Sequence, residues 1–260
     1  MRRAAAGARR QRVRIACQAP GRGTPERVKT RFRPEVPAPL AASLAGAFGG
    51  LSWLRHARVF HPRGVAFRGT LRRTGLDPGT GSAFLDEPGE QLALVRFSKG
   101  AGLPDPLPDV LGIAVRALDA DGPGRHRDLL FASSAAPPVL RHLLVPARRL
   151  ASRPCSSVLP YATPAGTVML AAAAEDGPSV DRMAAGAAPA AVRLLAATTT
   201  GPWRTWAVLL PEHRLSAAEH AELAFDPWNA GVDLRPSGLL NRLRHPAYAA
   251  SRAARPGGGR

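Results

Sequence analysis

The feature that most constrains this chain is a succession of short segments built for extended backbone. Val65, Phe67, Gly69 and Leu71 alternate with Ala66, Arg68, Thr70 and Arg72, the period-two pattern of a half-buried strand. A second strand is expected over residues 91–97. Residues 110–118 and 128–132 supply two more, separated by the turn-forming Asp119-Ala120-Asp121-Gly122-Pro123-Gly124. Residues 166–173 and 203–210 add later strands. Strands at this density predict an antiparallel sheet that is closed or strongly curled, because closure removes the exposed edges along which sheets associate.

Helical signals flank and interrupt these runs. Leu40, Leu44, Phe48, Leu51 and Leu54 recur at three- and four-residue steps, predicting a helix over 37–54 that Gly49-Gly50 breaks or ends. Residues 139–150 read as a short helix. Ser216 stands at an N-cap with Glu219 at the capping-box position, so a helix begins there and runs to about residue 223. The last helix is expected over 239–254, with Asn241, Arg244, Tyr248, Ser251 and Arg255 on one face and a bend or late start at Pro246. The fold class is therefore α+β, with no internal repeat.

At 260 residues and 45% apolar content the chain is long enough for one large core. Residues 1–36 are rich in Arg, Gly, Pro and Gln without a sustained period and predict a disordered arm. Residues 37–255 form the expected domain, and 256–260 a disordered tail. The net charge of +17 invites a nucleic-acid reading. Two observations weigh against it. Only Lys29 and Lys99 among the 36 basic residues are lysines, in a chain rich in Ala, Pro, Gly and Arg, which reads as GC-rich coding bias. Much of the charge also lies in the arm and the tail. Cys17 and Cys155 show neither CxxC spacing nor a disulfide framework, which points to a reducing, cytoplasmic setting without structural zinc. No apolar h-region and no stretch near ~20 apolar residues is found, so neither a secretory signal nor a membrane span is expected.

Two stretches carry chemistry. In Arg58-Val59-Phe60-His61-Pro62-Arg63-Gly64 an imidazole sits at the mouth of the first strand. Arg58 and Arg63 beside it disfavour the imidazolium, leaving a neutral ring able to accept a proton. A lone His in such a place is more often structural. In the last helix Arg244 precedes Tyr248 by one turn, setting a guanidinium near the phenol oxygen and favouring phenolate, a known iron ligand. Packing of the helix explains Tyr248 equally well in isolation. His126, His142, His213 and His220 lack metal-ligand spacing and read as surface or structural. Trp203 and Trp206 read as core or barrel wall, and no phosphate-binding loop or dinucleotide fingerprint occurs.

Taken together, these pieces resemble the haem catalases, in a short form. The segment from Arg58 to Gly64, with Gly69 later, is similar to the distal-histidine run Arg-Val-x-His-x-Lys-Gly of that family. Val95-Arg96-Phe97-Ser98 matches its Val-Arg-Phe-Ser, and Asp109-Val110-Leu111-Gly112-Ile113-Ala114-Val115-Arg116 resembles Asp-x-Arg-Gly-Phe-Ala-Val-Lys. Asp128-Leu129-Leu130 stands for Asp-Leu-Val/Thr and Leu159-Pro160-Tyr161 for Thr-Pro-Tyr. Phe225-Asp226-Pro227-Trp228-Asn229 resembles Phe-x-Pro-x-Asn, and Arg244-His245-Pro246-Ala247-Tyr248 matches the proximal Arg-x-x-x-Tyr, with Arg255 following. The order is that of the family, over about residues 57–255.

The resemblance implies an antiparallel β-barrel of the catalase-like type, with flanking helices and a C-terminal helix carrying the proximal Tyr. It implies haem b, with Tyr248 as the axial metal ligand and Arg244 beside it. Arg58, Arg96 and Arg255 would pair with the propionates. His61 would be the distal acid/base, oriented by Ser98. The substrate would be hydrogen peroxide or an organic hydroperoxide, turned over by a weak catalase or peroxidase, and a homo-oligomer is compatible with this. Two departures stand out. No Asn follows the Asp-Leu-Leu strand, and Ser133 is nearest its place, while Phe60 is bulkier than the usual Val. Two readings compete: a barrel that holds haem or another apolar ligand without turnover, and a hydrolase such as a phosphodiesterase using another site.

Overall fold

The computed structural model describes residues 63–237, with side chains from Gly64 onward. The arm over 1–36, the helix over 37–54, Arg58, His61, the helix over 239–254 with Arg244 and Tyr248, Arg255 and the tail lie outside the described residues.

The alternating run after His61 forms β1 (Arg63–Arg73), followed by β2 (Gly89–Lys99), β3 (Leu111–Ala117), β4 (Arg127–Ser133) and the very short β5 (Cys155–Ser156). After these come β6 (Tyr161–Thr163), β7 (Gly166–Ala174), β8 (Val192–Ala197), β9 (Arg204–Arg214) and β10 (Arg235–Pro236). Strands β1, β2, β3, β4, β5, β7, β8 and β9 pair in that order, and β9 pairs back with β1, so eight antiparallel strands close a barrel. The closed antiparallel sheet read from the sequence is thus the observed one. β6 and β10 extend from β7 as a side ladder.

Register carries the alternation around the barrel. Phe67 lies opposite Val95, Val95 opposite Val115, and Val115 opposite Leu129, and all four side chains are buried in the core. Each such side chain contributes about 1.5–3 kcal/mol by leaving water. The neighbouring row, Ala66, Arg96, Ala114 and Leu130, points the other way. Between Arg68 and Gly69 the β1–β9 register slips, and there the backbones crowd: a Cβ on Gly69 would lie 2.1 Å from the Leu210 carbonyl oxygen.

Each end of the barrel holds an inward-facing buried cation. At one end Lys99 Nζ donates to Asp105 and Asp181, each at 2.7 Å, and to the Leu103 carbonyl at 2.9 Å. Asp181 belongs to helix α2 (Val180–Ala184; the preceding helix α1 is Ala83–Asp86), whose first turn is capped by Ser179. At the other end Arg127 donates to Asp121 and Asp233, and its guanidinium stacks 4.7 Å from the Phe84 ring of α1. Gly231, at φ +97°, leaves the room that guanidinium occupies.

Two expectations need correction or extension. Residues 139–150 are not a helix: a 3-10 turn at Pro138–Leu140 leads into extended chain, and a second turn forms at Leu150–Ser152. Pro146 has no N–H and disfavours helical backbone at Val145. The free groups are taken up elsewhere, Val145 N donating to the Ser133 carbonyl and Ala147 N to that of Asp109. β8, not anticipated, is Val192-Arg193-Leu194-Leu195-Ala196-Ala197, buried at every position but Arg193, so it shows no alternation. By contrast, the capping box forms as read, with Ser216 and Glu219 bonding reciprocally at the start of α3 (Ala217–Glu222).

Two substitutions test this account. Gly69→Ala should destabilise the barrel by about 2 kcal/mol or more, because the partner atoms are backbone and have no rotamer to adopt; urea unfolding reads the change. Lys99→Met should cost about 3 kcal/mol at neutral pH by leaving two carboxylates facing each other at a barrel end. Partial burial opposes the Asp105 carboxylate, yet hydrogen bonds from Lys99 and Ser179 hold its pKa below the ordinary range. The stability this supplies is present above the unfolded value of ~3.9 and is lost as pH falls through the lower folded value. The Lys99→Met protein should therefore also show a flatter stability profile in that acid window.

Candidate functional site

On the outward face the first five strands build a strip of small residues. Gly64 lies opposite Ser98, Ser98 opposite Gly112, Gly112 opposite Ala132, and Ala132 opposite Ser156. None is larger than serine, so the strip is flat. Ser98 and Ser156 are nevertheless buried.

Arg96 borders this strip from the next row. Its guanidinium lies above Gly64, where a Cβ would come within 2.8 Å of Nη2 and 2.7 Å of the Phe97 carbonyl oxygen. Its Nε donates to Nε2 of His220 at 2.9 Å. His220 is carried by α3, which the capping box starts at Ser216 and which the Leu215 N–H ties to the Ala66 carbonyl of β1 at 2.9 Å. Burial, and then the neighbouring cations Arg96 and Arg214, push the His220 pKa below its ordinary value, so the ring is neutral at pH 7 and accepts. Burial likewise lowers the pKa of Arg96, which stays a cation in the physiological range.

The two described serines read from the sequence as catalytic do not converge. Ser98 faces outward, its Oγ donating to the Gly112 carbonyl at 3.4 Å. Ser133 continues the inward row of Lys99 and Leu111, on the opposite face of the sheet. Its hydroxyl accepts from Leu111 N at 3.1 Å and donates to the Val145 carbonyl at 2.7 Å, so its one proton is committed to backbone.

A second cluster joins two distant sequence motifs. Asp128, fully buried, takes a bidentate pair from Arg116, both bonds 2.7 Å, and accepts from Asp226 N at 2.8 Å. Its own N–H donates to the Asn229 carbonyl at 2.6 Å, and Arg116 stacks 5.2 Å from the Phe225 ring. The Asp-Leu-Leu strand and the Phe225–Asn229 segment are thereby one structural unit. Tyr161 is buried nearby; burial and then the Asp128 charge drive its phenol pKa up, so it stays protonated.

His220 is the residue that sequence reasoning passed over as surface or structural. The available signal was the capping box, which fixes a helix just after the strand that pairs with β1. His126 accepts from Asp119 N at 3.0 Å, His142 Nδ1 donates to the Val158 carbonyl at 2.7 Å, and Trp206 is core as expected. Cys155 is buried and its thiol is pushed up to about 12, which leaves it inert as a nucleophile. Among the described residues no three His, Cys, Asp or Glu side chains gather as a metal site, and no helix is long and apolar enough to cross a membrane.

The class that this geometry defines is, among the described residues, a closed eight-stranded antiparallel barrel with few helices, and the fold is catalase-like. Among solved structures the chain is similar to a fungal catalase, with a TM-score of 0.51 and 15% identity over 76% of this chain and 60% of that one. It is similar also to a bacterial catalase, with a TM-score of 0.51 and 14% identity over 80% of this chain and 60% of that one. The chain thus matches 60% of the length of either catalase. No protein-family model and no curated protein sequence matches it.

Removing the charge that joins the two motifs should be costly. Asp128→Asn should destabilise the protein by about 3 kcal/mol, since Arg116 would be left without its bidentate partner. Amide exchange at Asp226 should rise with it, and an unchanged exchange rate there would show that the segment is held by other means.

Proposed function

We propose that the chain is a haem-binding, catalase-related protein that acts on hydrogen peroxide or organic hydroperoxides. The observation that carries this reading is the flat outward strip of Gly64, Ser98, Gly112 and Ala132, bordered by an oriented Arg96 on a catalase-like barrel. A planar macrocycle with carboxylate substituents needs such a wall and such a cation. Gly64 adds to the fit, because any side chain there would displace the guanidinium.

In this reading Tyr248 would hold the haem iron through its phenolate oxygen, and Arg244, four residues earlier in the sequence, would favour that phenolate. Arg58, Arg96 and Arg255 neutralise the propionates through charge-assisted hydrogen bonds. His61 takes a proton from the peroxide and returns it to the leaving oxygen, and Ser98, opposite Gly64 at the start of β1, orients it. Haem b, when bound, supplies the iron redox chemistry. Ser133 contributes through the backbone it holds between β3 and Val145 rather than as a donor to peroxide. The domain spans residues 37–255.

The commitment of the Ser133 proton to Val145 also favours a second reading, a barrel that binds haem or another apolar ligand without turnover. A phosphodiesterase reading has no metal cluster among the described residues to support it.

Purified protein titrated with haemin should develop a Soret band of the tyrosinate-ligated, high-spin type, and Tyr248→Phe should abolish or shift it. An unchanged spectrum in that variant would remove Tyr248 as ligand. In the loaded protein His61→Ala should slow peroxide consumption by about a hundredfold or more. Haem binding without any peroxide consumption in the wild type selects the second reading.

A further inference from the structure

We propose that His220 is a positioning residue for Arg96: its Nε2 lone pair holds the Arg96 Nε–H and fixes the guanidinium plane against the outward strip, directed at a carboxylate of the bound ligand. The inference rests on the haem reading above and names the side chain that prepares its anion contact.

The argument begins with the flexibility of arginine. A guanidinium on a strand has four rotatable bonds, and holding it in one orientation costs up to about 2 kcal/mol of rotamer entropy. That cost falls on ligand binding unless the free protein has already met it. Here two features meet it. Gly64 gives the guanidinium a floor without a side chain, and a Cβ there would lie 2.8 Å from Nη2. His220 takes the Nε–H at 2.9 Å, which sets the rotation of the plane.

The second step concerns the acceptor. To receive this bond Nε2 must carry its lone pair, so the ring proton sits on Nδ1. The charged groups around the ring favour that state: Arg96 from β2 and Arg214 from β9 both oppose a further cation. Glu219, the neighbouring acid on α3, is engaged by the Ser216 backbone and lies 3.8 Å from Arg68 of β1. A histidine kept neutral between two arginines is an acceptor whose electrostatic setting selects its partner.

The test compares haemin with its dimethyl ester, which has the same ring but no carboxylates. His220→Leu should weaken haemin binding by about tenfold, the loss typical of a hydrogen bond to a charged group, and leave ester binding within about twofold. His220→Gln, whose amide oxygen can accept from Nε at a similar reach, should restore haemin affinity. Haemin binding unchanged in His220→Leu, or an equal loss for haemin and ester, overturns the positioning role while leaving the haem reading intact. Failure of the wild type to bind either ligand removes the haem reading and this inference with it. If the leucine variant does not fold, the ring-nitrogen chemical shifts of the wild type decide: a protonated Nδ1 and a lone pair on Nε2 at pH 7 support the proposal, and protonation of both nitrogens overturns it.

Discussion

A barrel of eight strands has two open ends, and in this one each end is organised by a single buried cation. Lys99 and Arg127 both point inward, at opposite ends of the same wall, and each is met by two carboxylates from separate segments. A buried charge without partners is far costlier than a paired one. The loops over 101–108, 119–124 and 231–234, together with α2, are therefore held to the barrel mouths by the need to neutralise what the strands present. The apolar rows fill the interior, and the cations determine what covers its ends.

The same wall has a different chemistry on its other face. The inward rows carry Phe, Val and Leu, whereas one outward row from β1 to β5 carries only Gly, Ser and Ala, so the sheet offers a bulky side to the core and a flat strip on its other face. Arg96 stands at the border of the flat part. Its bond to His220 couples β2 to α3, and the Leu215–Ala66 bond couples α3 to β1. The candidate site is consequently an assembly of three elements whose relative placement is set by two hydrogen bonds and one capping box.

Much of the fold could be read in advance, for identifiable reasons. β1 through β4 face the core on one side only and so alternate clearly. β8 is buried along almost its whole length, and burial on both faces erases the period. Residues 139–150 have the apolar spacing of a helix, but Pro146 and the waiting acceptors Ser133 and Asp109 decide otherwise. Side-chain surroundings are legible in proportion to how local they are. Ser98 and Arg96 lie in one recognisable strand motif. Ser133 was assigned by its place after Asp128, whereas its hydroxyl is consumed by Val145, a partner twelve residues onward. His220 pairs with a residue 124 positions earlier in the chain, and no local pattern encodes such a distance.

β5 is the narrowest part of the wall. Its register with β4 is Ala132–Ser156 and Ser133–Cys155, and with β7 Cys155–Ala172 and Ser156–Ala171, flanked by the bonds Ser134 N to the Pro154 carbonyl and Ser157 N to that of Leu170. Pro154 before it and the left-handed Val158 after it prevent the strand from lengthening. The cylinder thus has a seam, with β1 to β4 on one side and the later strands on the other, joined by a strand of two residues and the hydrogen bonds that flank it. Fewer paired residues hold the wall along that line than between any other two neighbouring strands of the barrel, so closure of the cylinder depends there on its shortest register.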